Sequence, residues 1–215
     1  DGEDSPGFRQ RHSDVTIHHG RALRTGHEKV RRLIYRFQLM DDEFDPEPGE
    51  APLAPLAPIG GSGYAALPDD HRFRVLEAEY QSSDVRFLRA SHLDRFDRFQ
   101  DINLGNDWSV SLGISPAFLG DDHDHLFFGG QFSRWFHFSP NTYSRVEAGT
   151  TGRIAAGRGR NVITKADLRH YYLGLPRQTL VVHAEQTWGH NLDGEKQFLL
   201  GGDSGLRGYD NRRFD

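Results

Sequence analysis

The sequence predicts an all-β chain folded as an antiparallel meander. Consecutive runs between residues 101 and 190 alternate apolar and polar side chains with period 2, the mark of a strand with two different faces. Short clusters of Gly, Pro and Asn separate the runs, at the length that turns a hairpin. No segment carries a competing helical period; residues 28–39 come nearest, and their Val30, Leu33, Ile34, Tyr35 and Phe37 read better as a strand.

Taken in order, residues 1–13 are polar and hold Gly and Pro, and read as a disordered or linker segment. A partial β-barrel domain is expected over 14–215. Val15-Thr16-Ile17 is a short strand. Residues 41–70 change character: six of the ten prolines fall between 46 and 68, followed or interrupted by Gly60-Gly61-Ser62-Gly63. Proline cannot donate to a sheet ladder, so 41–70 reads as one long exposed loop. Its acidic residues at 41–50 invite calcium, but they lack the glycine and distal glutamate of an EF-hand, and a solvated loop is the expectation.

Residues 71–81 and 84–93 are strand-like with mixed faces. In 101–115, Ile102, Leu104, Trp108, Val110, Leu112 and Ile114 share one face with Asn106. In 124–138, Leu126, Phe128, Phe132, Phe136 and Phe138 do the same, with Arg134 interrupting them. In 141–155, Val146, Ala148 and Ile154 oppose Arg145, Glu147 and Arg153. In 161–173, Val162, Ala166, Leu168 and Tyr172 oppose Lys165, Asp167 and Arg169. In 178–190, Leu180, Val182, Ala184 and Trp188 oppose Thr179, His183 and Glu185. Ser139-Pro140-Asn141, Ala156-Gly157-Arg158-Gly159-Arg160 and Gly174-Leu175-Pro176-Arg177 supply the turns.

Composition narrows the class. A net charge of −5 with no basic run gives no nucleic-acid partner. Mean hydropathy is −0.68, and no apolar stretch approaches the ~20 residues of a spanning helix. A membrane β-barrel is compatible with that value because its strands alternate. The absence of cysteine removes thiol catalysis, disulfides and thiolate-bound zinc; no metal and no cofactor is expected. Asp1-Gly2-Glu3-Asp4 does not begin a signal peptide, so a mature form, a fragment or a cytosolic chain is expected.

Alternation leaves open which face meets what. In a soluble sandwich the apolar face is inside; in an outer-membrane barrel it faces lipid and the polar face lines the lumen. The runs exceed the ~5–6 residues of soluble strands and match the ~9–11 that cross hydrocarbon. Charges of both signs stand mid-strand, and aromatics gather towards run ends, as in interfacial belts. The expectation is a transmembrane outer-membrane β-barrel segment, with Trp108, Val110, Leu112, Ile114, Phe128, Phe132, Leu180 and Val182 facing lipid. A soluble all-β binding module is the alternative.

Near the end stands Leu199-Leu200-Gly201-Gly202-Asp203-Ser204-Gly205-Leu206-Arg207-Gly208-Tyr209. Gly-Asp-Ser-Gly alone suggests a hydrolase nucleophile at Ser204. A serine needs a positioned base, and none of the twelve histidines stands in a protease-like context. Leu206 and Arg207 occupy the places where that motif continues with glycine and proline, and the esterase elbow fails at Leu206. The chain is not expected to be an enzyme.

The longer pattern, an apolar–Gly–Gly segment followed by Gly205-Leu206-Arg207-Gly208-Tyr209, resembles the signature of the BamA/TamA/two-partner-secretion transporter superfamily, the bacterial surface antigens. The resemblance runs over roughly residues 70–215. It implies a barrel of about sixteen antiparallel strands in the bacterial outer membrane. It also implies a function in inserting or exporting a polypeptide client without covalent chemistry. In that family the motif loop folds back into the lumen and its arginine docks on the barrel wall by charge-assisted hydrogen bonds. The resemblance thus assigns the functional loop, 191–215, to Gly201, Gly202, Gly205, Leu206, Arg207, Gly208 and Tyr209. The glycines suit a backbone threaded down a crowded interior.

The chain departs from the family in two ways. The family continues for about five strands after the motif, and its periplasmic modules are not recognisable ahead of the strands. The expected partners are therefore outer-membrane lipid and either the remaining strands of a longer barrel or further copies of the chain. Nine strand candidates place the Pro-rich loop and the motif loop on opposite sides of the membrane. Merging 71–93 into one bulged strand gives eight and places both on one side.

Overall fold

A computed structural model describes residues 8–26, 28–46, 70–91, 99–120 and 123–193. They form one eight-stranded antiparallel sheet and one two-stranded hairpin. The strands are β1 (Phe8–Thr25), β2 (Lys29–Pro46), β3 (His71–Asp84), β4 (Phe87–Ser91), β5 (Phe99–Asn103), β6 (Asn106–Ser115), β7 (His125–Ser139), β8 (Thr142–Ala155), β9 (Arg158–Leu175) and β10 (Gln178–His190). The main sheet runs β1-β2-β3-β6-β7-β8-β9-β10, every neighbour antiparallel, with β1 and β10 as open edges. The antiparallel meander read from the sequence is the fold.

The expected turns are in place. Pro140-Asn141, Ala156-Gly157 and Pro176-Arg177 each join two strands. Ala156 and Gly157 both have positive φ, 47° and 73°, as a right-twisted two-residue hairpin requires.

Three expectations are corrected. β1 begins at Phe8, inside the segment read as disordered, and is far longer than Val15–Ile17. β2 continues to Pro46, through the first residues assigned to the loop 41–70. Both errors have one cause. Phe8–Ser13 pairs with Asp41–Pro46, and charge occupies both faces there, so no apolar alternation marks the strands. The backbone pairing there is flanked by exposed polar pairs: Arg11 to Glu43 at 3.0 Å, Gln10 to Asp42 at 3.0 Å and His12 to Asp42 at 2.7 Å.

The third correction is the run 101–115, which is two strands. The chain leaves β5 at Asn103 and enters β6 at Asn106. Gly105 makes the break possible: a Cβ there would lie 1.6 Å from the Asp84 carbonyl oxygen. Ile102 and Leu104 therefore belong to a separate packing cluster, not to the face of Trp108. Nor do 71–93 merge into one strand; β4 pairs with β5 outside the main sheet.

Among the described residues the main sheet thus has eight strands, an even count that returns the chain to the end of the sheet at which β1 begins. β2 ends at Pro46, β3 begins at His71 and β10 ends at His190, all at one end of the sheet. The turns at Pro140 and Pro176 and the β4–β5 hairpin lie at the other. We call these the Pro46 end and the Pro140 end.

Candidate functional site

The two faces of the main sheet have opposite chemistry. Leu76, Ala78 and Tyr80 on β3 stand beside Ile114, Leu112 and Val110 on β6; on β7, Leu126, Phe128 and Phe132 stand opposite Ile114, Leu112 and Trp108. This apolar face is exposed: Leu112 is 60% accessible, and Trp108, Val110, Ile114, Leu180 and Val182 are open as well. Phe132 is also exposed, whereas Phe128 is half-buried, its ring covering Gly152 on β8. From Trp108 to Ile114 the band is ~20 Å long at ~3.4 Å per residue.

The polar face is the buried one. Glu79 is 4% accessible, and Ser109, Ser115, Arg153 and Asn161 are buried with it. The sheet curls towards this side. The Arg153 guanidinium on β8 lies 5.0 Å from the Phe73 ring on β3, with two strands between them. In a flat sheet those strands would stand ~14 Å apart. Phe73 also meets His125 and Phe127 edge-on, at 5.0 and 5.3 Å.

Three layers line the concave side. The middle layer is charged. Arg36 on β2 bonds both Glu77 and Glu79 on β3, and Gln81 donates to Glu79 at 3.0 Å. Further round, Arg145 pairs with Glu147, His183 bonds Asp167, and Arg169 lies 3.5 Å from Asp167. The groove between them has a volume of about 610 Å³ and is lined by Gln81, Asp107, Ser109, Gln131, Glu147, Lys165, Asp167, Arg169 and Glu185 among others. Alternating sign across neighbouring strands lets the concave side hold these charges without a large net field.

The layer at the Pro46 end is organised by Asp193. Its side chain is 9% accessible and takes hydrogen bonds from Arg153 and Asn161, with His71 and Arg160 each at 3.8 Å. A bulge creates this meeting. The β8–β9 register slips between Thr151 and Arg153, and Asn161 takes a φ of 49°. Its amide nitrogen then donates to the Asn191 carbonyl at 2.8 Å, and Asp193 N donates to Asn161 Oδ1 at 2.7 Å. The sequence gives Asp193 no motif; only the bulge brings it inward.

The layer at the Pro140 end is aromatic. Trp135 stacks on Tyr171 at 5.8 Å and His137 on Tyr143 at 4.8 Å. Tyr143 and Tyr171 are buried, and the β4–β5 hairpin packs on them.

Asp167, His183 and Glu185 place one ligand atom each within 4.8 Å of the others, and the sequence reading missed this group. Its signal is the β9–β10 register, in which Asp167 stands opposite Glu185 and His183 opposite Arg169. His183 already bonds the Asp167 carboxylate, and the Arg169 guanidinium lies 3.5 Å from it.

The loop residues Gly201, Gly202, Gly205, Leu206, Arg207, Gly208 and Tyr209, and Ser204 with them, lie outside the described residues. The structure does give the place from which that segment departs: Asp193, hooked into the concave side at the Pro46 end. No helix among the described residues is long and apolar enough to cross a membrane, which leaves strand-crossing untouched. Comparison with protein-family models, with curated proteins and with solved structures returned no match.

Proposed function

We propose that the chain is a wall segment of a bacterial outer-membrane β-barrel that inserts or exports polypeptides without covalent chemistry. The observation that carries this reading is the inverted burial. Leucine, valine and tryptophan face out from β6, while glutamate, arginine and serine are buried on the concave side. A bilayer rewards that arrangement, because hydrocarbon covers the apolar band and water fills the polar lumen. A soluble sandwich needs a second sheet over Val110 and Leu112, and the described residues supply none. Strands of 10–18 residues in the main sheet fit a tilted crossing. The translocation part of the reading rests on the likeness of Gly201-Gly202 and Gly205-Leu206-Arg207-Gly208-Tyr209 to the surface-antigen signature, with Arg207 as the docking residue.

Nitroxide labels at Val110, Ser111 and Leu112 test the membrane assignment. Labels at 110 and 112 should be quenched by oxygen and protected from a polar nickel reagent, with 111 the reverse. A chain that is monodisperse in detergent-free buffer and unfolds cooperatively there sinks the reading. Arg207→Ala should impair client assembly or export while leaving membrane insertion intact; unchanged export removes Arg207 from the function.

A further inference from the structure

We propose that the β4–β5 hairpin is a stopper that closes the Pro140 mouth of the polar interior. This rests on the barrel reading, since a stopper needs a lumen to close. Two turns at that end are minimal, with Pro140-Asn141 and Pro176-Arg177 joining their strands directly. Between β3 and β6 the chain instead places the paired strands β4 and β5.

The root of this pair is fixed. Asn103 Nδ2 donates to the Asp84 carbonyl at 2.9 Å, while Asn103 Oδ1 accepts from Arg86 N at 2.7 Å and Gly105 N at 3.0 Å. Leu104 N donates to Arg86 O at 2.8 Å and Val85 N to Glu28 O at 2.7 Å. The chain is thereby aimed, and Gly105 lets it pass against Asp84 without a clash.

It is aimed inward. Ala90 on β4 and Ile102 on β5 share a face, and both are buried against Tyr143 on β8 and Tyr171 on β9. β6 and β9 are three strand spacings apart, ~14 Å in a flat sheet. A hairpin rooted beside β6 that reaches Tyr171 therefore covers the concave side of β7 and β8 at that end, with Trp135 and Leu173 packed against the same cluster. Tyr143 and Tyr171 belong to the concave face, the same face that carries Arg145, Glu147, Asp167 and Arg169 one layer deeper. A polar lumen with an aromatic collar at one end, filled by two aliphatic side chains from a separate hairpin, is a hydrophobic seal over a wet conduit. Such constrictions block ions and water by excluding them, not by binding them.

The chain has no cysteine, so an introduced pair is its only thiol chemistry. The full-length protein carrying Ile102→Cys and Tyr143→Cys is oxidised and reconstituted in planar bilayers. The disulfide should form and hold conductance at its basal level, and reduction should permit openings. Ala90→Asp with Ile102→Asp places charge in the seal and should raise conductance about threefold or more. Equal conductance in the locked, reduced and aspartate proteins overturns the stopper, and so does a folded cysteine protein that forms no disulfide. If the aspartate variant does not fold, the locked and reduced states of the cysteine protein decide alone. A disulfide that forms in protein unable to insert into any bilayer overturns the barrel reading instead, and is recognisable as that failure.

Discussion

Arg153 lies over the ring of Phe73 although β8 and β3 are not neighbours, and the same guanidinium bonds Asp193. One side chain thus ties the curl of the sheet to the segment that follows β10. Arg153 and Asp193 are 6% and 9% accessible, so each is desolvated and each depends on the other. Removing one partner of a buried pair is costlier than removing both.

Arg153→Met should therefore destabilise by about 3–5 kcal/mol, since the buried Asp193 carboxylate loses its guanidinium. Adding Asp193→Asn should recover part of that loss. Urea unfolding of the three proteins in detergent micelles measures it; a double variant no more stable than Arg153→Met contradicts the pairing.

Arg36 presents the converse asymmetry, one guanidinium serving Glu77 and Glu79. Arg36→Leu leaves the buried Glu79 and, beside it, Glu77 without their cation and should cost about 3 kcal/mol. Glu77→Gln leaves the Arg36–Glu79 pair intact and should cost about 1 kcal/mol. The same unfolding measurement ranks them, and equal losses refute the shared-partner account.

These two sites also mark what could be read from the residues alone. The strands from Leu126 to Trp188 were legible because one face is apolar, one polar, and the turns carry Pro, Gly and Asn. β1 and β2 were legible only in part, since the Arg11–Glu43 ladder puts charge where alternation is sought. The Trp108 run was drawn too long because Ile102 and Leu104 continue its period; only the contact of Gly105 with Asp84 shows the break. The Arg36 and Arg153 clusters lay beyond reach. They depend on register and curl, which pair residues of high sequence separation, and on a bulge at Asn161 that one asparagine does not announce. Arg134, noted as a break in the Phe128 face, sits with its guanidinium 4.8 Å from the Phe136 ring, so the charge rests on an aromatic neighbour.

The band on the outer face should have a depth profile. Leu112→Arg sits mid-band and should cost about 2–4 kcal/mol in a lipid-embedded barrel. Leu180→Arg lies beside the Pro176-Arg177 turn and should cost about 0–1 kcal/mol. Folding titrations into phospholipid vesicles give both values. Equal penalties at the two positions remove the bilayer as the solvent of this face.

Ala156 offers a gain of stability. It occupies the first central position of the β8–β9 turn at φ 47°, where its Cβ crowds the following carbonyl. Asparagine tolerates that region better and is favoured ahead of glycine in such turns, and Gly157 already follows. Ala156→Asn should stabilise the hairpin by about 0.5–1 kcal/mol, near the gain seen when a turn residue matches its conformation. The effect should vanish when Gly157 is replaced by Ala, because that substitution puts a Cβ at φ 73° and the turn cannot keep its geometry. Urea midpoints of the single and double variants test this, and a destabilised Ala156→Asn would rule out the turn assignment.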